Sequence, residues 1–146
     1  MVAVRRMLEM AEITPGETVY DLGCGDGRIL ISAVRRYGAC GVGIDIDAIR
    51  IEDARRRAQT FLDRIRFRRR NIFRTDLREA DVVMLYLLPE LNSKLLPRLR
   101  NLKAGVRIVS HCFELPGVAA YKTACVKSRQ GRYHRLFAYR TPIEEI

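Results

Sequence analysis

Three glycines at alternate positions, with acidic residues beside them, are the best candidates in this chain for holding a ligand. They are Gly23, Gly25 and Gly27, and they lie in the stretch Val19-Tyr-Asp-Leu-Gly-Cys-Gly-Asp-Gly-Arg28. Because glycine has no Cβ, the backbone can turn sharply there and approach a ligand closely. The stretch passes from an apolar run into a helical pattern, and a loop between a parallel strand and a helix binds nucleotides in open α/β sheets. We therefore predict a nucleotide-like ligand at this loop.

The residues around the glycines indicate the chemistry of that ligand. A dinucleotide loop requires a small residue at its sixth position, which is Arg28 here. Asp21 and Asp26 would repel a pyrophosphate but suit positive groups, and S-adenosylmethionine carries both a sulfonium and an ammonium. Asp45 follows Gly23 by 22 residues and can accept both ribose hydroxyls, as in NAD sites. These residues together favour S-adenosylmethionine, although Asp26 could instead cap the following helix.

The charge of the chain raises a second possibility for binding. The formal net charge is +10, with 23 arginines among 146 residues, and eleven of them lie between Arg50 and Arg78. Such a block attracts nucleic acid or another polyanion such as a ribosomal particle. The alternative is a solvated surface in a GC-rich or heat-adapted organism.

Length and hydropathy predict one domain over residues 1–146. The sequence has no apolar run of about 18 residues and no signal peptide pattern at its start. We therefore expect no membrane partner, a cytoplasmic location and, by default, a monomer.

The cysteines predict neither a zinc site nor a disulfide framework, because none forms a Cys-x-x-Cys pair. Cys40, Cys112 and Cys125 fall in or beside predicted strands, where a free thiol behaves as a small hydrophobe. Cys24 lies inside the glycine loop, where a small side chain suffices. We expect no metal in this protein.

Apolar periodicity predicts alternating helices and strands. Helices are expected over 3–13, 28–37, 47–62 and 91–102, and strands over 18–21, 40–45, 65–70, 81–88, 106–112, 123–127 and 133–139. In the helix 47–62 we expect Ile49, Ala54, Ala58 and either Phe61 or Leu62 on the face that packs against the sheet. Pro97 is expected to kink or bound its helix. The last two strands follow one another with no helix between them, which is typical of a hairpin.

This order of elements is that of a class I methyltransferase sheet, and Asp-Leu-Gly-Cys-Gly-Asp-Gly resembles motif I of S-adenosylmethionine-dependent methyltransferases. The resemblance implies an α/β, Rossmann-like fold. Its sheet would be seven-stranded and mostly parallel, with a C-terminal antiparallel hairpin and helices on both faces.

A narrower resemblance covers nearly the whole chain. The elements that carry it, in order, are Tyr20-Asp-Leu-Gly-Cys-Gly-Asp-Gly-Arg28, Gly43-Ile-Asp45, Asp81-Val-Val, Tyr86-Leu-Leu-Pro89, Leu102-Lys-Ala-Gly105 and Val109-Ser-His111. They resemble the small archaeal and bacterial protein-lysine methyltransferases, which are related to the mitochondrial enzyme that methylates the ATP synthase c-subunit. A protein lysine is therefore the implied methyl acceptor. Members of that group usually have a longer N-terminal lid segment, which we expect to be short or absent here.

The resemblance also implies the residues of the cofactor site. Asn71 would contact the adenine amino group, and Ile46 and Ile72 would bracket the adenine ring; for the two isoleucines the alternative is core packing. The predicted cofactor-binding residues are Asp21, Gly23, Cys24, Gly25, Asp26, Gly27, Asp45, Ile46, Asn71 and Ile72.

The acceptor end is predicted at the end of the fourth strand. Tyr86 would orient the amine through its hydroxyl, and Leu87, Leu88 and Pro89 would form the wall of an apolar channel. Such a channel favours the neutral, nucleophilic form of a lysine amine. His111 would face the same pocket. The alternatives are an aromatic core residue for Tyr86 and a structural histidine for His111, and no role is assigned to His134.

The segment after the fourth strand also indicates which methyl acceptor is expected. Enzymes that methylate exocyclic amino groups of bases often have an Asn or Asp followed by two prolines there, and Tyr86-Leu-Leu-Pro89 has no such hydrogen-bond acceptor. A protein-lysine methyltransferase is thus the leading hypothesis. The alternatives are an RNA (rRNA or tRNA) methyltransferase and a non-catalytic module that binds S-adenosylmethionine.

Overall fold

Helices and strands alternate through most of the chain in the computed structural model, which describes residues 2–146. The helices are α1 (Val2–Met10), α2 (Arg28–Tyr37), α3 (Ala48–Arg57) and α4 (Pro89–Arg100), with 3-10 helices at Gln59–Phe61 and Ile72–Arg74. The strands are β1 (Thr18–Leu22), β2 (Cys40–Asp45), β3 (Ile65–Arg69), β4 (Val82–Leu85), β5 (Arg107–His111), β6 (Val118–Ala119), β7 (Lys122–Lys127), β8 (Tyr133–Arg140) and β9 (Glu144–Glu145).

Seven of these strands form one sheet in the order β3-β2-β1-β4-β5-β8-β7. Strands β1 to β5 are parallel, whereas β8 pairs antiparallel with both β5 and β7. The direction of winding reverses between β1 and β4, and open α/β sheets bind ligands at the carboxyl ends of strands at such a point. The predicted architecture is confirmed, and the glycine loop after β1 lies at this reversal.

The first βα unit matches its prediction because its ends are marked by glycines. α2 starts after Gly27 and ends at Gly38, whose φ of +67° is in the left-handed region that glycine adopts without strain. The amide of Gly38 closes the last turn on Val34 O at 3.1 Å. Strand β2 then begins at Cys40 and ends at Asp45, as predicted.

Two predictions about α3 are wrong. The helix ends at Arg57 and continues only as a 3-10 turn, instead of running to residue 62. Ile49 does not pack against the sheet, because it is in the first turn and its side chain is 77% exposed. Ala54 and Ala58 are buried as predicted, Phe61 packs partly buried against the same core, and Ile51 is buried in the place expected for Ile49.

Strand β4 occupies the central position predicted for it but is shorter. All four residues of Val82–Leu85 are buried, as expected for a parallel strand covered on both faces. The strand ends before Tyr86, whose side chain is 59% exposed. Pro97 lies inside α4 rather than at its boundary.

The sheet separates two apolar layers. Helices α1, α2 and α3 contribute to the layer on one face, which contains Leu8, Leu30 and Ala54; α4 contributes to the layer on the other, which contains Leu95 and Leu99. Helices on both faces are therefore confirmed. The connection from β3 to β4 contains a 3-10 turn and no α-helix, and this leaves a groove beside β3. Within residues 2–146 no helix has both the length and the apolar character needed to span a membrane.

Candidate active site

The glycine loop turns directly from β1 onto the end of β2. The amides of Gly23 and Cys24 both donate to the carbonyl of Ile44, at 2.7 and 3.0 Å, and the amide of Gly25 donates to Asp45 Oδ2 at 3.1 Å. Gly23 and Gly25 have φ values of +84° and +54°, which a residue with a Cβ adopts only with strain. The loop therefore presents bare backbone, held in place by β2.

Gly27 serves packing as well as the turn. A Cβ at this position would lie 2.9 Å from Phe67 Cζ and 3.3 Å from Ala54 Cβ. The absence of a side chain thus lets the start of α2 pack against α3 and β3. Cys24 is also buried, and burial raises the pKa of its thiol, so this thiol is not a nucleophile at neutral pH. The roles predicted for both residues in cofactor binding remain predictions.

Asp21 is a buried carboxyl at the base of the loop. Burial, and then repulsion from Asp45 and Asp26, raise the pKa of Asp21 to about 7. No group of residues 2–146 donates a hydrogen bond to its side chain. Since a charged Asp21 lacks compensation, a cationic ligand group beside it would stabilise the site.

Asp26 and Asp45 are better satisfied than Asp21. Asp26 accepts from the Arg28 amide at 3.2 Å and pairs with the Arg28 guanidinium at 2.7 Å, and this side-chain hydrogen bond lowers the pKa of Asp26. Asp26 thus accepts from the first amide of α2, but the N-cap of this helix is Gly27, which offers no side-chain hydrogen bond. Asp45 also accepts from the Asp47 amide at 2.9 Å, and its position at the end of β2 suits a ligand hydroxyl.

The residues predicted to hold an adenine ring lie near β2 and β3. Ile46, the residue after β2, has a side chain that is 64% exposed, whereas Ile72 is half-buried and packs against the core. Asn71 follows β3, and its Oδ1 accepts from the Phe73 amide at 2.8 Å. This bond caps the 3-10 turn, so the structure gives Asn71 a local role besides the predicted one.

A cavity of about 660 Å³ opens in front of the glycine loop, which is within the size range of small-molecule sites. Seven predicted site residues are in its lining, namely Asp21, Gly23, Cys24, Gly25, Asp26, Tyr86 and His111. The others are outside the lining: Gly27, Asp45, Ile46, Asn71, Ile72, Leu87, Leu88 and Pro89. Leu87 still touches the loop, because a Cβ on Gly23 would lie 3.6 Å from Leu87 Cδ2. Leu88 and Pro89 form the start of α4.

Aromatic rings converge at the end of the cavity beyond β4 and β5. The Tyr86 and His111 ring centroids are 4.2 Å apart, and His111 Nε2 is 2.8 Å from His134 Nδ1. Burial, and then repulsion from His134, lower the pKa of His111 to about 4. His111 is therefore uncharged at neutral pH.

Sequence reasoning missed two walls of this cavity. One is α1, through Val2, Ala3, Val4 and Met7. The other is the β7–β8 hairpin, which contributes Ser128, Gln130, Arg132 and His134. The Ser128 amide donates to Arg132 O at 2.8 Å, which forms the tight tip. The hairpin was recognised from the sequence, but nothing in its residues indicated that the tip reaches the glycine loop.

The strand order, the glycine turn at its reversal and the acidic residue ending β2 together define a class I methyltransferase. Solved structures support this class. One is described as an RNA methyltransferase from Salinibacter ruber in complex with S-adenosyl-L-homocysteine; it superposes with a TM-score of 0.89 at 41% identity, covering 99% of this chain and 93% of that one.

The family follows from a more specific match. The model of the ANTKMT methyltransferase domain matches residues 21–122, and the chain belongs to this family. A protein-lysine N-methyltransferase of Saccharolobus islandicus (strain REY15A) is 42% identical over 118 residues, which cover 78% of this chain and 73% of that protein. A Caenorhabditis elegans lysine N-methyltransferase, named for the c-subunit of ATP synthase, is 29% identical over 107 residues, which cover 72% of this chain and 56% of that protein.

Family membership confirms the predicted recognition and the predicted reaction class, methyl transfer from S-adenosylmethionine. The residues present fit this cofactor. The turn at Gly23 and Gly25 leaves room for close approach, Asp45 offers carboxylate oxygens beside the loop, and the uncompensated Asp21 suits a cationic group.

Proposed function

We propose that the chain methylates a lysine side chain of a protein, with S-adenosylmethionine as the methyl donor. The observation that carries this proposal is the 42% identity to the Saccharolobus islandicus protein-lysine N-methyltransferase over most of both chains.

The donor end of the cavity is the glycine loop. When bound, S-adenosylmethionine supplies an electrophilic methyl group on a sulfonium. Gly23 and Gly25 would admit the cofactor, Asp45 would hold its ribose, and Asp21 would face its positive groups. Methyl transfer needs little side-chain chemistry beyond alignment of the reacting atoms. The task of the chain is thus to fix the donor and to admit a deprotonated amine.

The acceptor end would be formed by Tyr86, His111 and the tip of the β7–β8 hairpin. The Tyr86 hydroxyl would orient the amine, and His111 would line the same end of the cavity. Leu87, Leu88 and Pro89 would support this end from the start of α4.

The acceptor can be tested by transfer of a tritiated methyl group to a cell lysate, followed by protease or RNase treatment. We expect the label in protein, lost on proteolysis, and recovered as methyl-lysine after hydrolysis. Label that survives protease but is lost with RNase would refute the lysine proposal. The Gly25→Arg variant, in which weakened donor binding is expected, serves as the control.

RNA methylation is the second candidate, and two observations favour it. The Salinibacter ruber structure at 41% identity is described as an RNA methyltransferase. A second cavity of about 470 Å³ shares Val2, Val4, Ser128 and Gln130 with the first and is lined by Arg5, Arg36 and Arg129. Three arginines beside the acceptor end suit a phosphate backbone.

We also propose that the arginine-rich region from Arg50 to Arg78 binds nucleic acid or a ribosomal particle. Arg66, Arg68, Arg70 and Arg74 line the groove beside β3, which has a volume of about 270 Å³. Phosphate contacts of this kind would hold the enzyme near its substrate without base specificity. One domain over residues 1–146, a cytoplasmic location and a monomeric state are further proposals drawn from the sequence.

A further inference from the structure

Three metal-ligating side chains meet at the acceptor end of the cavity. His111 Nε2 and His134 Nδ1 are 2.8 Å apart. Cys112 Sγ joins them, and the ligand atoms of the three residues all lie within 4.8 Å of one another. The two histidines line the cavity in front of the glycine loop, so the cluster is open to ligands from that side.

The antiparallel pairing of β5 and β8 places the two histidines together. His111 is paired with Leu136, and His134 precedes Leu136 by two residues. Because side chains alternate along a strand, Leu136 and His134 are on the same face of the sheet as His111.

Cys112 reaches this cluster through an unusual backbone conformation. In a continued strand its side chain would point to the face opposite His111. Its φ is +72°, in the left-handed region that a non-glycine residue rarely adopts, and its amide donates to Arg135 O at 2.7 Å. The strand therefore turns at Cys112, and the thiol stays beside the two imidazoles.

The donor set is that of a borderline divalent metal. Zinc binds imidazole nitrogen at about 2.0–2.1 Å and thiolate sulfur at about 2.3 Å, so that tetrahedral ligand atoms lie about 3.3–3.6 Å apart. The two histidine nitrogens are 2.8 Å apart, closer than this, and all three ligand atoms lie within 4.8 Å of one another, so metal binding would require small adjustments of these side chains. Three protein ligands leave a fourth position free, as in catalytic rather than structural zinc sites.

We propose that His111, Cys112 and His134 form a binding site for a divalent metal of the zinc class, with its open position toward the cavity. The absence of a Cys-x-x-Cys spacing argued against a zinc site in the sequence. That argument does not apply to this site, because its ligands are one cysteine and two histidines at the ends of two paired strands.

The test uses the metal-free full chain titrated with Zn²⁺ by calorimetry and with Co²⁺ by absorption spectroscopy. We expect one equivalent of either metal and a thiolate-to-cobalt charge-transfer band. Cys112→Ser should abolish the band. His134→Ala should weaken Zn²⁺ binding by more than about 100-fold, since even loss of an outer-shell partner costs about 10- to 100-fold. Cys125→Ser is the matched control, because Cys125 is an exposed free cysteine on β7, and it should bind both metals as the parent chain does.

Failure to bind Zn²⁺ stoichiometrically would overturn the proposal, as would unchanged binding in both Cys112→Ser and His134→Ala. Binding of S-adenosylhomocysteine by each variant verifies that it is folded, and His134→Gln replaces any His134→Ala protein that is not. No methyl acceptor enters these measurements. They therefore give the same answer whether the enzyme methylates protein or RNA.

Discussion

At the scale of single residues, Asp21 makes the free protein less stable than it would be with a neutral side chain there. Its carboxyl is buried, without a donor from residues 2–146, and its pKa is raised to about 7 from an ordinary value of 3.8. Between these two pH values the unfolded chain ionises Asp21 while the folded chain keeps it protonated. The contribution of Asp21 to the free energy of unfolding is therefore most favourable below pH 3.8. It falls as pH rises to about 7.

Replacement of Asp21 by Asn should remove this pH dependence. We expect the free energy of unfolding of the parent chain to fall relative to that of Asp21→Asn as pH rises from 3.8 to about 7, and the difference to be constant above that pH. Urea unfolding at a series of pH values measures it. A difference that is independent of pH would contradict the buried, uncompensated carboxyl.

Gly25→Arg tests the donor end of the site. The glycine has a φ of +54°, and a Cβ there would lie 3.3 Å from Arg50 Nη1, so a long side chain must enter the cavity. Overpacking costs about 1–3 kcal/mol, which is roughly 5- to 150-fold in affinity for S-adenosylhomocysteine by calorimetry. Gly117→Arg is the control, since Gly117 also has a positive φ but has no atom within 4 Å of an added Cβ. Full affinity in Gly25→Arg would show that the loop does not hold the donor.

Tyr86→Phe tests the acceptor end. The variant keeps the ring beside His111, 4.2 Å between centroids, and removes only the hydroxyl. If the hydroxyl orients the amine, the loss of one hydrogen bond of about 0.5–1.5 kcal/mol should lower kcat by about 2- to 12-fold, with unchanged affinity for S-adenosylhomocysteine. An unchanged kcat on the identified acceptor would assign Tyr86 to packing alone.

At the scale of elements, strand β2 depends on two glycines that leave room for its neighbours. A Cβ on Gly43 would lie 2.7 Å from Phe67 Cδ1 and 2.9 Å from Cys24 Sγ, whereas one on Gly41 would lie 3.1 Å from Leu30 Cδ2 as its closest atom. Gly43 therefore permits β3 and the glycine loop to pack on the same point of β2.

Gly43→Ala should destabilise the protein by about 1–3 kcal/mol through overpacking. Gly41→Ala should cost less, because its closest contact is the flexible end of one leucine. Chemical denaturation of both variants measures which of them has the lower free energy of unfolding. Equal free energies of unfolding for the two would mean that the surroundings of Gly43 relax as easily as those of Gly41.

The elements that the sequence predicted best are those with a local marker at each end. α2 and β2 were placed to the residue because Gly27 and Gly38 mark the helix and Asp45 ends the strand. The helix predicted over 47–62 and the strand predicted over 81–88 were too long, because residues beyond each regular element still pack: Ala58 is buried after α3, and Leu87 packs against the core after β4. Ile49 shows the limit of periodicity. Its spacing predicted packing against the sheet, but in the structure the residue is 77% exposed.

The candidate site also has one part that could be predicted from the sequence and one part that could not. Its donor end is one contiguous motif after β1 and was readable from the sequence. The acceptor end combines α1, β5 and the β7–β8 hairpin, and the approach of His134 to His111 depends on the register of two strands. A single sequence carries no local signal for such a register.

At the scale of the whole molecule, part of the net charge of +10 lies in the groove beside β3. The connection from β3 to β4 has no α-helix, and Arg66, Arg68 and Arg70 line the groove beside β3. Arg66 lies 3.9 Å from Glu79, whereas no salt-bridge partner for Arg68 or Arg70 exists within residues 2–146. These two arginines are therefore available to phosphate groups.

The double variant Arg68→Gln, Arg70→Gln should bind single-stranded RNA more weakly than the parent chain. The slope of log affinity against log salt should decrease in magnitude by about 1.4, about 0.7 for each phosphate contact removed from a single strand. Fluorescence anisotropy over a salt series measures it, with Arg6→Gln on α1 as the control. Parent binding that is absent or insensitive to salt would exclude a role for this surface.

The hairpin tip described above has a consequence for how such enzymes diversify. Strands β1 and β2 and the turn between β1 and α2 fix the donor end, whereas Ser128, Gln130 and Arg132 reach the acceptor end from the outermost strand pair of the sheet. A change of length or residue type at this tip alters the shape of the acceptor end without disturbing the packed layers. Under the proposed function, the hairpin tip is thus the part of the cavity wall that can change in length and residue type without repacking the strands that carry the donor loop.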